Sequence, residues 1–87
     1  MTKLEEKLIE LGFHYCFDNA EGYLYSKKHN KKYIFNVLIS YTKKHIENYD
    51  VTNLYDFHSQ KDIDNLQQAF NEMQRDLEIL KGVFEDE

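Results

Sequence analysis

The chain contains no proline and no tryptophan, one cysteine and three glycines in 87 residues. Without proline, no residue lacks the backbone donor that helix and strand ladders use, and no Pro-rich linker divides the chain. A lone Cys16 excludes an internal disulfide, the staple of small secreted domains, and supplies at most one thiolate to a metal site. That usage points to a reducing, cytoplasmic compartment. No apolar run approaches the ~20 residues that span a bilayer. The first apolar stretch is broken by Glu5, Glu6, Lys7 and Glu10, unlike the core of a signal peptide. No Gly-rich phosphate loop occurs, and Ser26, Ser40 and Ser59 carry no nucleophile signature. The expectation is a non-enzymatic protein with no cofactor, metal or membrane partner.

What the chain does have is aromatic residues, seven Tyr and six Phe, in a composition that is 41% hydrophobic and 31% charged. Large rings let a short chain build a core that removes roughly 60–65% of its unfolded surface from water. One domain over residues 1–87 is the natural division. The formal charge of −5 is unevenly spread. Residues 1–22 carry −3, residues 23–45 carry +6 with no acid at all, and residues 46–87 carry −8.

Hydrophobic periodicity predicts an α+β chain in the order α-β-β-β-β-α. Thr2 and Glu5 form a capping box before Leu4, Leu8 and Leu11 at helical spacing, and Gly12 suits the left-handed residue that closes a helix. From 13 to 17 the chain alternates, placing Phe13, Tyr15 and Phe17 on one face and His14 and Cys16 on the other. Residues 18–22 (DNAEG) read as a turn, 23–28 as a second strand and 31–41 as a third. In the third, Tyr33, Phe35, Val37, Ile39 and Tyr41 make the core face, with Ile34, Asn36, Leu38 and Ser40 behind. Thr42 to Lys44 is a turn and His45 to Val51 a fourth strand, followed by an extended stretch anchored by Leu54, Tyr55 and Phe57. The predicted product is an antiparallel four-stranded meander. One face is covered by a short N-terminal and a long C-terminal helix; the other faces solvent.

Ser59, with Asp62 three residues on, opens the long helix. Ile63, Leu66, Phe70, Met73, Leu77, Leu80 and Phe84 follow at spacings of three and four, an a/d seam. Twenty-two helical residues reach ~33 Å, close to the roughly 30 Å diameter of a compact chain of this length. The seam can therefore be consumed against the sheet. The other use of Phe70, Met73, Leu77, Leu80 and Phe84 is a homodimer, so monomer and dimer both stay open.

Three constellations carry functional weight. The run KKHNKK clusters Lys27, Lys28, Lys31 and Lys32 at a hairpin tip, where Asn30 accepts the positive φ of a tight turn. Strand alternation splits these lysines between faces, so a solvated tip competes with a nucleic-acid contact. The strand tyrosines fit half-buried packing with a wet hydroxyl, or base stacking as in single-strand binders. His14 and Cys16 share a face, but two ligands do not make a metal site. The acids Asp62, Asp64, Glu72, Asp76, Glu78 and Glu85 lie off the helix seam. They read either as a solvated face or as a carboxylate row that meets a basic groove.

The opening LEEKLIELGF and the closing DIDNLQQAFNEMQRDLEIL resemble small uncharacterised proteins of phages and prophages of low-GC Gram-positive bacteria. The abundance of Lys, Asn, Ile, Tyr and Phe, all with AT-rich codons, agrees with that resemblance. Many such proteins bind and disable a host protein, anti-CRISPR inhibitors among them. The resemblance implies a role in the bacterial cytoplasm: inhibiting or modulating a host nucleic-acid-handling or defence protein. A nucleic-acid-binding accessory protein is the alternative drawn from the lysine tip, and a structural homodimer the alternative drawn from the seam.

Overall fold

The structure, a computed structural model, describes residues 2–42, 45–54 and 59–86. Its elements are α1 (Lys3–Glu10), β1 (His14–Asp18), β2 (Gly22–His29), β3 (Tyr33–Ser40), β4 (Ile46–Asn53) and α2 (Gln60–Asp86). The strands form one antiparallel sheet in the order β1-β2-β3-β4, the predicted meander.

Local chemistry sets the boundaries. The Glu5 amide donates to the Thr2 hydroxyl at 3.2 Å and the Thr2 amide to the Glu5 carboxylate at 3.3 Å, completing the capping box. At the other end of α1, the Phe13 amide reaches the Leu8 carbonyl (2.9 Å) and the Gly12 amide the Ile9 carbonyl (3.0 Å). With Gly12 at φ 98°, this is a Schellman closure, and Phe13 and Leu8 join the same core beneath it. The first hairpin turns on Asn19, whose side-chain oxygen accepts from the amides of Glu21 (2.7 Å) and Gly22 (3.0 Å). The second turns on Asn30 and Lys31, with φ of 55° and 62°, the paired positive angles that match strand twist.

The apolar face of β3 is the core face, as alternation predicts. Tyr33, Phe35, Val37 and Ile39 pack with Leu4 and Leu8 of α1 and with Ala69, Met73, Leu77 and Leu80 of α2. Tyr41, past the strand end, is 48% exposed. The opposite face of the sheet carries a ladder of polar side chains across three strands. The Ser26 hydroxyl donates to Asn36 Oδ1 (2.8 Å), and Asn36 Nδ2 donates to Asp50 (2.6 Å) and Thr52 (2.9 Å).

Tyr41 thus leaves the predicted core face, and further expectations change. A bulge between Tyr15 and Phe17 sets Phe17 opposite Leu24 rather than on the face of Tyr15; one inserted residue reverses every later side chain. The stripe that α2 buries is also rotated. Ile63 and Phe70 are 51% and 41% exposed, while Ala69 and Asp76 are buried. At 100° per residue this turns the buried stripe by roughly 40° from the predicted seam. Met73, Leu77 and Leu80 are consumed inside the subunit and are not available as a dimer seam. Finally, α2 runs 27 residues and the molecule measures 43 × 25 × 18 Å, longer than the 30 Å compact body expected. Of the predicted anchors, Leu54 is exposed; Tyr55 and Phe57 lie outside the described residues, as do Lys43 and Lys44 of the third turn and the side chains of Phe84 and Glu85.

Candidate binding surface

The lysine tip is taken apart by the alternation that builds it. Lys27 points toward the helices, where its ammonium bonds the Asp76 carboxylate and the Leu11 carbonyl (3.1 Å) and lies 4.8 Å from the Phe13 ring centre. Lys32 pairs with Asp62 at 3.8 Å. Lys28 and Lys31 remain exposed, Lys28 on the polar-ladder face and Lys31 in the turn. Of the four lysines at the tip, Lys27 is drawn inward and Lys32 is paired while still 44% exposed, which leaves Lys28 and Lys31 outside the ion pairs with α2.

The acidic row of α2 is taken apart by the same contacts. Asp76 is 8% exposed and held by Lys27. Asp62 faces Lys32, and Glu72 meets His29 Nε2 at 3.0 Å. His29 itself stacks on Phe35, ring centres 5.0 Å apart at 18°. The hairpin tip and α2 thus neutralise each other across the molecule. Asp64, bonded by Gln60 at 3.2 Å, and Glu78, 3.9 Å from Lys81, stay exposed on the outer side of the helix, and Glu72 keeps 54% of its side chain exposed beside His29. Asp76 is removed from any exposed acidic face because its carboxylate is the internal partner of Lys27.

At the other end of the sheet runs a row of tyrosines, exposed at Tyr15 and Tyr41 and buried at Tyr25. The Tyr15 ring sits 5.8 Å from Tyr25 at 70° and 6.4 Å from Tyr23 at 55°. Tyr23 meets Tyr41 edge-on at 5.2 Å. Edge-to-face pairs at these distances hold one another's orientation. The row runs beside a groove of about 380 Å³ between α1 and the β1–β2 hairpin. Ile9 (53% exposed) and Tyr15 (50% exposed) form its open rim.

Carboxylates are set into this row. The Tyr25 hydroxyl donates to Glu5 at 3.4 Å, and the Tyr15 hydroxyl donates to Asp18. That hydrogen bond pushes the Tyr15 pKa up from 10.0 to about 12, with desolvation and the Asp18 charge adding to it. Tyr15 is therefore a neutral donor, and the negative charge resides on the carboxylate. The Tyr41 hydroxyl donates to the Asn19 carbonyl and ties the first turn to the end of β3. The sequence places these tyrosines in or beside strands but does not show their assembly. The signal was their placement on one face, and the bulge that ends it carries no residue mark.

His14 and Cys16 stay exposed on the edge strand β1. Among the described residues no group of three or more metal-ligating side chains forms, and no helix is long and apolar enough to cross a membrane. Comparisons with protein-family models, curated proteins and solved structures returned no match.

Proposed function

We propose that this chain is a non-enzymatic binding protein of phage or prophage type that covers a basic, nucleic-acid-handling surface of a host protein, a defence nuclease being the most concrete target. The tyrosine row with Glu5 and Asp18 set into it supports this reading. Aromatic residues with adjacent carboxylates contribute large contact area and attract cationic partners, while repelling phosphate. The contact is assigned to the α1–β1 end rather than to α2, where Asp62 and Asp76 are engaged by hairpin lysines and, among the described residues, the remaining acids stand without neighbouring tyrosine rings. The nucleic-acid accessory reading keeps only Lys28 and Lys31. Lys28 lies about 17 Å along β2 from Tyr23 and about 10 Å from Tyr25 but on the opposite face of the sheet, so lysine and rings make no platform for a single strand.

The test begins with capture from a bacterial host lysate and identification of the bound protein. Purified partner is then titrated with nucleic acid in the presence of this chain. The expected result is competition that weakens with salt and is reduced in Glu5→Gln/Asp18→Asn. A partner that keeps its nucleic acid while bound, or a competition abolished only by Asp64→Lys/Glu78→Lys, overturns the assignment.

A further inference from the structure

We infer that the groove between α1 and the β1–β2 hairpin is an arginine-binding site, taking a guanidinium from an exposed basic segment of a partner. The inference rests on the reading above and names the side chain that reading needs.

Two walls of the groove do different chemistry. Ile9 and the edges of Tyr23 and Tyr25 form an apolar slot, suited to the three-carbon stem of an arginine. Tyr15, half exposed at the rim, offers a ring, and Glu5 in the wall and Asp18 on the Tyr15 hydroxyl bring formal negative charge beside it. A planar guanidinium satisfies both, stacking on the ring while its fork reaches a carboxylate. An ammonium is a compact, strongly hydrated point charge and gains less from a flat ring. No lysine or arginine lines the groove; Glu5 is its carboxylate and His14 its one basic side chain. Lys27, the nearest cation to Phe13, is committed to Asp76 and the Leu11 carbonyl. The volume, about 380 Å³, falls within the range of pockets that hold a small ligand.

The site is tested without the partner. Short, capped peptides carrying spaced arginines are titrated into the protein, followed by ring resonances and by tyrosine emission, which no tryptophan masks. Matching lysine and citrulline peptides serve as comparisons. The arginine peptide is expected to shift Tyr15, Tyr23 and Ile9 and to bind about tenfold more tightly than the lysine peptide. Glu5→Gln is expected to weaken binding several-fold while keeping the helix cap, because Gln serves in the capping box as Glu does; Tyr15→Leu provides a second, independent loss. Equal binding of arginine, lysine and citrulline peptides overturns the inference. So do shifts centred on Asp64 and Glu78. A dimer that Arg75→Gln abolishes overturns the partner assignment and makes a second copy the occupant. Failure of the peptide leaves the partner competition assay free to succeed through another surface, so the two failures are distinguishable.

Discussion

Replacing Lys27 with Met removes the only cation bonded to a buried carboxylate among the described contacts of Asp76. Asp76 is 8% exposed and belongs to the α2 stripe with Met73, Leu77 and Leu80. Breaking such a pair from one side costs about 3–5 kcal/mol, because the remaining charge stays buried without a partner. The Leu11 carbonyl at the end of α1 also loses its 3.1 Å donor. A chain of 87 residues holds in total about 4–13 kcal/mol. Lys27→Met therefore removes about a quarter or more of that stability. Asp76→Leu is milder, about 1–3 kcal/mol, since the lysine stem can extend its ammonium toward water. The double variant Lys27→Met/Asp76→Leu replaces the pair by apolar contacts and returns to within about 1 kcal/mol of the parent. Urea unfolding followed by circular dichroism and tyrosine emission gives all four corners of the cycle. A cost below about 1 kcal/mol for Lys27→Met, or a double variant as unstable as the sum of the singles, would refute the reasoning.

Gly22→Ala places a Cβ 1.9 Å from the Ile39 carbonyl oxygen, so either β2 and β3 part or the variant loses several kcal/mol, on the order of 3; thermal unfolding measures it. Lys31→Gly relieves a side chain held at φ 62° and is expected to stabilise by about 1 kcal/mol, read as a raised urea midpoint with unchanged slope. Asp18→Asn removes the hydrogen bond to a carboxylate that raises Tyr15, returning its titration toward 10.0 in a pH series of ring resonances. In the parent the folded pKa lies above the unfolded one. The bond's contribution is therefore fully present below pH 10 and fades as pH rises toward 12, a dependence that Asp18→Asn loses.

Much of the fold is legible because its signals are local. A capping box, a glycine at φ 98°, an Asn-led turn and a strict period of two in β3 each act within a few residues. The rest depends on contacts between distant residues. Lys27 and Asp76 are 49 residues apart, and nothing near either one marks it as half of an internal pair. The charge blocks of the sequence are real, yet folding lays the basic hairpin against the acidic helix. Segment sums therefore do not describe the surface. The bulge after Tyr15 is a single inserted residue of ordinary type, and it decides that Tyr15 and Phe17 face opposite ways. The tyrosine row became visible only when β1, β2 and the end of β3 were brought side by side.

The azimuth of α2 is the point at which hydrophobicity alone gives the wrong answer. Leu66, Met73, Leu77 and Leu80 belong to either of two stripes. Ile63 and Phe70 extend one, Ala69 and Asp76 the other, and the more apolar stripe is the one left partly exposed. Two contacts account for the choice. Ala69, fully buried, adds only a methyl group to the core cluster, and Lys27 bonds the inward-facing Asp76. A polar pair that adds little net stability can still fix a register. The double variant Lys27→Met/Asp76→Leu separates these roles. If the pair sets the azimuth, replacing Ala69 with Leu in that background turns α2 by roughly 40°, and the Phe70 ring becomes protected from solvent. The same Ala69→Leu change in the parent is simply destabilising by overpacking, about 1–3 kcal/mol, with Phe70 still exposed. Solvent-accessibility measurements on the Phe70 ring read the outcome, and an exposed ring in both backgrounds assigns the azimuth to packing and not to the pair.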